Sequence, residues 1–479
     1  MTLSDLFRDG AQISVRDLRG AHVHLIGIGG SGMAGLAAIL LRIGARVSGT
    51  DQNRSAATER LAQLGARVRY DQADAAMINA DTELVLASAA IAPDHPELKL
   101  AGAHNVRVLK YAQMLGVLME HFEGVAVSGT HGKSTSTAWL AYTMRRADLD
   151  PNFVIGAESA QLGGGSGVGS GRHFLVEACE YDRSFLNLRP TRAVILNIDE
   201  DHLDCYRDLA AIEEAFTTFA TQIRPGGLAV LNAADPACRR VRDACTCRVE
   251  TFGENPDADW QATDLRLVDG RYAFDLRHRG ESLGPVHLGL SGRHNVMNAL
   301  AVAALATDCG VGPDALRAGL QTFRGAKRRL EVHLEQDGVI IADDYAHHPA
   351  EIRATLAAAR ERFQPKRLWV VFQPHQHSRT RFLLNDFAQS FAMADRVLVP
   401  DIYFVRDSER DRQAVSADDL VSAIAARGGN AEYTPDFDDL TDRIAADLQP
   451  GDVVLTMGAG NIWKVADALV RRVRRNLPA

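Results

Sequence analysis

The chain has 479 residues, of which 46% are hydrophobic and 24% charged, an ordinary balance for a globular protein. At about 150 residues per domain, that length suggests three domains. Lys and Arg total 53 against 61 Asp and Glu, a net charge of −8, so there is no whole-molecule basic field for nucleic acid and local donors must hold any anionic ligand. Six cysteines without a CxxC pair exclude a disulfide framework and argue against a structural zinc; Cys245-Thr246-Cys247 is the only close pair. The start, MTLSDLFRDG, is charged and lacks the apolar stretch of a signal peptide. Runs such as MAGLAAILL fall short of a membrane span. The expectation is a cytoplasmic, enzyme-sized protein with no membrane and no nucleic-acid partner.

In chain order, the first apolar run is HVHLI, followed by the turn GIGGSGM and a helical pattern. Gly27-x-Gly29-x-x-Gly32 permits a tight turn and close approach of backbone N–H groups to a pyrophosphate. Asp51 ends the next strand-like run, nineteen residues after Gly32, where a carboxylate accepts from a ribose hydroxyl. The motif alone leaves three readings open: a dinucleotide site, a site for another diphosphate, or a structural turn. The run ELVLASAA follows, and the first αβ series closes near residue 123.

Next, Val125-Ala126-Val127 leads into Ser128-Gly129-Thr130-His131-Gly132-Lys133-Ser134-Thr135 and a second helical pattern. Val127 stands where a full GxxxxGK[ST] loop has its first Gly. The remainder suits phosphate capture: backbone N–H groups and a helix N-terminus face the anion, Lys133 adds charge, and the Ser134 hydroxyl can ligate Mg²⁺. An ordinary strand–helix turn is the alternative. Gly163 to Gly171, GGGSGVGSG, reads as a flexible loop within one domain. HFLVEA and RAVILNI end in two acidic clusters, Glu177-Ala178-Cys179-Glu180-Tyr181-Asp182 and Asn197-Ile198-Asp199-Glu200-Asp201-His202-Leu203-Asp204. Carboxylates at strand C-termini converge on a ligand edge, although helix capping and solvated loops account for several of them.

GGLAVLN is the next buried-strand run, and residues 250 to 290 alternate irregularly, predicting an antiparallel hairpin. The basic stretch Arg324 to Arg329 precedes a third αβ series. There GVIIADD ends in Asp343-Asp344-Tyr345-Ala346-His347-His348-Pro349, and RLWVVFQ leads into Gln373-Pro374-His375-Gln376-His377-Ser378-Arg379-Thr380-Arg381. The adjacent histidines fit hydrogen-bonding roles or a metal. Arg379 and Arg381 fit a carboxylate clamp or a surface ion pair. RVLVP and DVVLT follow, the latter running into MGAGN and a last helical pattern. Alternation of strands and helices throughout predicts an α/β fold of parallel-rich sheets.

HVHLIGIGGSGM, SGTHGKST, EACEYD, NIDEDHLD, SGRHNVMNALAV, GAKRRLE, DDYAHHPAEI, FQPHQHSRTR and GAGNIW occur in that order over residues 22 to 463. On these motifs the chain resembles the Mur ligase family over nearly its whole length. The resemblance implies three domains: a Rossmann-like domain over residues 1–122 for the UDP-sugar, a P-loop ATPase over 123–325, and a Rossmann-like domain over 326–479 for the amino acid. It implies ATP-dependent joining of L-alanine to the lactyl carboxylate of UDP-N-acetylmuramate in peptidoglycan precursor synthesis. A tripeptide in place of alanine is one alternative. A nicotinamide-dependent oxidoreductase, from the first glycine motif alone, is the alternative of another class.

Carried onto this sequence, Gly129, Thr130, His131, Gly132, Lys133, Ser134 and Thr135 form the ATP loop, and Asn295 meets the adenine region. Ser134, Glu177 and His202 are implied ligands for two Mg²⁺ ions, and Lys133 and Arg328 (or Arg329) contact phosphate. Gly29, Ser31, Gly32, Asp51 and Ser88 are implied for the UDP-sugar, and His347, His375 and Arg379 for alanine. Four positions depart from the family pattern: Gln376 replaces Arg with His377 beside it, Cys179 replaces Asp, Tyr181 replaces Ser, and Ser134 replaces Thr but keeps the hydroxyl.

Overall fold

Short apolar runs that end in glycine turns and continue as helices build three sheets, each covered by helices. The computed structural model describes residues 14–72, 77–88, 91–202, 204–405 and 407–475. β1 (His22–Ile26), β2 (Arg46–Thr50), β3 (Arg67–Arg69), β4 (Leu84–Ala87) and β5 (Arg107–Lys110) form a parallel sheet in the order β3-β2-β1-β4-β5. The order reverses between β1 and β4, which opens a crevice at their C-terminal ends. Polar residues of these buried strands are satisfied by Glu97 of the helix Pro96–Ala103: His24 Nε2 meets Glu97 Oε1 at 3.0 Å, and Thr50 Oγ1 donates to Glu97 Oε2 at 2.6 Å.

The second sheet holds β6 (Glu123–Ser128), β7 (Asn152–Ser159), β8 (Gly164–Gly167), β9 (His173–Glu177), β10 (Arg192–Ile195), β11 (Leu228–Asn232), β12 (Arg248–Gly253), β13 (Trp260–Val268), β14 (Arg271–His278) and β15 (Glu281–His287). Their order is β15-β14-β13-β12-β11-β10-β6-β9-β7-β8. The strands β6, β7 and β9 to β13 run parallel, and β13-β14-β15 is an antiparallel meander where a hairpin was expected. The helix His294–Asp308 is alanine-rich and buried almost throughout, which lets it lie close against the helix Lys133–Arg146.

In the third sheet, β16 (Glu331–Gln336), β17 (Val339–Asp344), β18 (Arg367–Phe372), β19 (Arg396–Val399), β20 (Ala431–Tyr433) and β21 (Asp452–Met457) take the order β16-β17-β21-β18-β19-β20. Only β16 is antiparallel to its neighbour. Among the described residues, no helix is long and apolar enough to cross a membrane.

One expectation is corrected. The glycine-rich segment after residue 163 is not simply a loop: Gly164–Gly167 is an edge strand paired antiparallel with β7. Its small residues let the first domain approach. A Cβ on Gly35, in the helix Ser31–Ile43, would stand 2.3 Å from Ser166 Cβ. Gly35→Val therefore has to push the hairpin away from the first domain. We expect a loss of about 1–3 kcal/mol in denaturant unfolding, with Gly35→Ala losing less.

Candidate active site

The functional residues sit on loops at the C-terminal ends of parallel strands. In the first domain these are the turn after β1 and the residue after β4. Gly29 N donates to Asp51 Oδ2 at 2.8 Å, and Asn53 N donates to Asp51 Oδ1 at 3.0 Å. The Asp51 carboxylate thus braces the glycine turn, and a Cβ on Gly29 would meet it at 2.8 Å. Ser88 Oγ lies beside Gly27 across the crevice. Ser31 opens the helix, but its side chain lies outside the described residues. Gly32 leaves room for the Tyr111 hydroxyl, which a Cβ there would touch at 2.6 Å. Burial pushes the Tyr111 phenol well up, and the charge of Glu177 in the second domain adds to the shift.

In the second domain the P-loop follows β6. Gly129 has φ +136° and Gly132 φ +84°, conformations that favour glycine, and a Cβ on Gly132 would meet Asn298 Oδ1 at 2.7 Å. The loop is braced by the segment after β10. Thr130 N donates to Asn197 O at 3.0 Å, His131 N to Asn197 Oδ1 at 2.8 Å, and Asp199 N to Thr130 Oγ1 at 2.9 Å. Lys133 Nζ donates to Gly129 O at 2.6 Å, to Thr130 O at 2.9 Å and to Glu180 Oε1 at 2.9 Å. Burial alone would lower the Lys133 pKa, but the Glu180 charge outweighs it and holds the ammonium well above its ordinary value. Likewise burial would raise the Glu180 pKa, and Lys133 and His202 hold it down.

Ser134 Oγ donates to Glu177 Oε1 at 2.8 Å, and Gly156 N donates to Glu177 Oε2 at 2.6 Å. His202 Nε2 faces Glu180 Oε1 at 3.5 Å, and its Nδ1 has no hydrogen-bond partner among the described residues. Tyr181 packs edge-on against the His202 ring at 5.1 Å, a contact a serine there could not make. Burial pushes the Cys179 thiol up to about 12, and the charge of Glu180 adds to the shift. Glu180 is the residue that sequence reasoning left unassigned. Its signal was available, since it lies one turn beyond Glu177 in the same acidic cluster.

A cavity of about 410 Å³ opens between the second and third domains. The P-loop residues His131, Gly132 and Thr135 line one wall, Asn295 and Asn298 another, and Arg329, Asp344 and Glu351 the facing wall. Asn298 Nδ2 donates to Asn295 Oδ1 at 3.0 Å, and Asn295 Nδ2 donates to Ser291 O at 2.7 Å. Of the two arginines considered for phosphate, Arg329 lines this cavity. Arg328 turns into its own domain: Nε donates to Asp343 Oδ2 at 2.7 Å and Nη2 to Gly458 O at 2.6 Å. Burial raises Asp344 to about 6.

The third domain meets the second through charged groups. Arg379 donates through Nε at 3.1 Å and Nη2 at 3.0 Å to Asp201 Oδ1, with both side chains only 7% exposed. Arg379 Nη1 also reaches His375 O at 3.3 Å. Burial lowers His347 to about 4, and its ring lies edge-on to that of His375 at 6.1 Å. His348 caps the helix Pro349–Phe363 through Nδ1, and its Nε2 donates to Glu200 O at 3.2 Å. His131 Nδ1 meets Glu351 Oε1 at 3.2 Å, and its Nε2 lies 3.4 Å from Asp199 Oδ2. Burial opposes a charge on His131, but the neighbouring carboxylates of Asp199 and Glu351 outweigh it and raise the ring to about 9.

Gln376 has φ +71° and is 3% exposed, and its Nε2 has no hydrogen-bond partner among the described residues. It lines a small pocket with Arg379 and the carboxylates of Asp201 and Asp204. The neighbouring His377 is turned toward Asp407 and does not line this pocket. Its Nδ1 faces Asp407 Oδ2 at 3.4 Å.

Because Lys133 is the counter-charge of buried Glu180, its removal has a structural cost besides its effect on phosphate. Lys133→Ala should destabilise the chain by about 3–5 kcal/mol in denaturant unfolding. Lys133→Ala combined with Glu180→Gln should recover most of that loss, while both variants release no phosphate from ATP.

Comparison with known proteins accords with this arrangement. Three family models match in order: "Mur ligase family, catalytic domain" over residues 22–123, "Mur ligase middle domain" over 127–306, and "Mur ligase, glutamate ligase domain" over 328–460. A UDP-N-acetylmuramate–L-alanine ligase of Pelotomaculum thermopropionicum is 41% identical over 457 residues, covering 95% of this chain and 98% of that protein. One from Geobacter sulfurreducens is 40% identical, covering 94% and 97%. The crystal structure of a UDP-N-acetylmuramate-alanine ligase from Thermotoga maritima superposes with a TM-score of 0.79 at 26% identity, covering 95% of this chain and 100% of that one. Identity of this degree over the full length of both chains, together with the ordered motifs at three strand edges, establishes that this chain belongs to the Mur ligase family.

Proposed function

We propose that this chain uses ATP to join L-alanine to the lactyl carboxylate of UDP-N-acetylmuramate, giving UDP-N-acetylmuramoyl-L-alanine, ADP and phosphate. The observation that carries the reading is the cavity of about 410 Å³ between the second and third domains, where the P-loop residues His131, Gly132 and Thr135 face Asn295 and Asn298 on one side and Arg329 and Glu351 on the other. The relatives that are about 40% identical over nearly the whole chain carry the name of that ligase. Family membership leaves the oxidoreductase alternative without support.

The chemistry follows from the leaving group. A free carboxylate would have to expel oxide, so its oxygen first takes the γ-phosphoryl group and ADP departs. The acyl phosphate can then expel phosphate when the neutral amine attacks its carbonyl carbon. Phosphoryl transfer needs positioning and charge neutralisation more than covalent help. Lys133 supplies charge from the P-loop, and Glu180 keeps it aligned with the loop carbonyls. Asn295 and Asn298 shape the wall expected to take the base of ATP.

Ser134 Oγ and the Glu177 carboxylate offer hard oxygen donors 2.8 Å apart and fit Mg²⁺, and His202 adds one imidazole, whose buried Nδ1 has no partner among the described residues. Bound there, Mg²⁺ would neutralise phosphate charge. On the far side, Arg379 and the Gln376 amide present donors suited to the carboxylate of a small amino acid. Closure of the third domain, through Arg379 on Asp201 and His348 on Glu200, keeps water from the acyl phosphate.

Phosphate release from Mg-ATP tests the assignment directly. We expect release that requires both UDP-N-acetylmuramate and L-alanine, with the amide product seen by mass spectrometry. Release with a tripeptide but not with alanine would move the substrate to the recycled peptide. Gln376→Arg adds a fixed charge at the carboxylate end. It should shift the KM for L-alanine by about tenfold and leave the KM for ATP nearly unchanged; equal shifts would remove Gln376 from the amino-acid site.

A further inference from the structure

His131, Asp199 and His348 come from three separate segments and two domains, yet their donor atoms lie within 4.8 Å of one another. His131 Nε2 is 3.4 Å from Asp199 Oδ2, and the two imidazole rings are 4.8 Å apart, centroid to centroid. We propose that these three side chains form a binding site for a borderline divalent transition-metal ion such as Zn²⁺, and that filling it clamps the third domain onto the P-loop. The site is distinct from the oxygen-rich position at Ser134 and Glu177.

The ligand chemistry favours such an ion. Two imidazoles and one carboxylate suit Zn²⁺ better than Mg²⁺, which prefers a shell made mainly of oxygen. The outer arrangement is also in place. Glu351 Oε1 holds His131 Nδ1 at 3.2 Å, which directs Nε2 toward Asp199. A carboxylate behind a ligating imidazole is the usual support in zinc sites. His131 Nε2 is buried and makes no hydrogen bond among the described residues. Asp199 and Glu351, the two carboxylates that draw a proton onto His131, supply the same field to a cation, and the ion replaces that proton at Nε2.

The distances set what must move. Tetrahedral zinc with bonds of about 2.0–2.1 Å places its ligands about 3.3 Å apart. The His131 and Asp199 pair already has that spacing, at 3.4 Å. His348 has to come closer and release the Glu200 carbonyl, which its Nε2 now reaches at 3.2 Å. Because His348 begins the helix Pro349–Phe363, this shift is a small further closure of the third domain over the P-loop.

Zinc binding to the full chain can be measured without nucleotide, by competition with a chromophoric chelator in magnesium-free buffer. The wild type should hold a zinc equivalent whose affinity falls by at least about 100-fold in His131→Gln, Asp199→Asn and His348→Ala alike. His202→Ala, at the other metal position, should retain it. Hydrogen exchange on the wild type should show zinc-dependent protection of residues 347–351, which guards against a variant that merely misfolds. No zinc binding by the wild type, unchanged affinity in all three variants, or loss in His202→Ala would each overturn the proposal. None of these readouts requires ligase activity, so the result stands apart from the substrate assignment.

Discussion

A buried carboxylate organises the phosphate site. Glu180 is 2% exposed and carries its charge there because Lys133 and His202 both face it. Lys133 in turn closes on two carbonyls of its own loop. The one ion pair thus sets the shape of the P-loop, the direction of the lysine and the position of an implied metal ligand. Desolvating a carboxylate and an ammonium is costly, and geometry with further hydrogen bonds has to offset it. On the ammonium side the two loop carbonyls, Gly129 O and Thr130 O, supply those bonds.

Around that pair the fold repeats one solution three times. The first two sheets reverse their strand order and the third inserts β21 between β17 and β18, and each leaves a crevice beyond the strand ends. The first crevice offers backbone N–H groups at the glycine turn, the second a P-loop at a helix N-terminus, and the third a cluster of His, Arg and Gln. The close approach of Gly35 to Ser166 links the first to the second, and Arg379 on Asp201 links the third to the second. A carboxylate, a triphosphate and an amine can then be handled in one enclosed space by groups that no single domain holds.

Much of this could be read along the chain. The βα turns after HVHLI, VAV and DVVLT, the loop Gly129 to Thr135 and the acidic cluster at Glu177 carry their meaning locally, because a strand, a turn and a helix N-terminus are set by neighbours in sequence. The glycine-rich strand β8 was not legible. Glycines 163 to 171 have no side-chain period, and their pairing depends on β7 and on the close approach of Gly35. Arg328 and Arg329 were indistinguishable as neighbours. Only the left-handed turn at Arg328 (φ +58°) and the Asp343 carboxylate decide which one faces inward.

The sequence by itself determined the α/β class, the phosphate loop and the residue types gathered at the strand ends, since these follow from short-range pattern and chemistry. The tertiary structure alone decided the partnerships: Lys133 with Glu180, Arg379 with Asp201, His131 with both Asp199 and Glu351. Each of these joins segments that lie 47 to 220 residues apart. Charges buried at such separations are paired by the packing of sheets and domains, and no local pattern in the chain encodes which carboxylate a given cation will find.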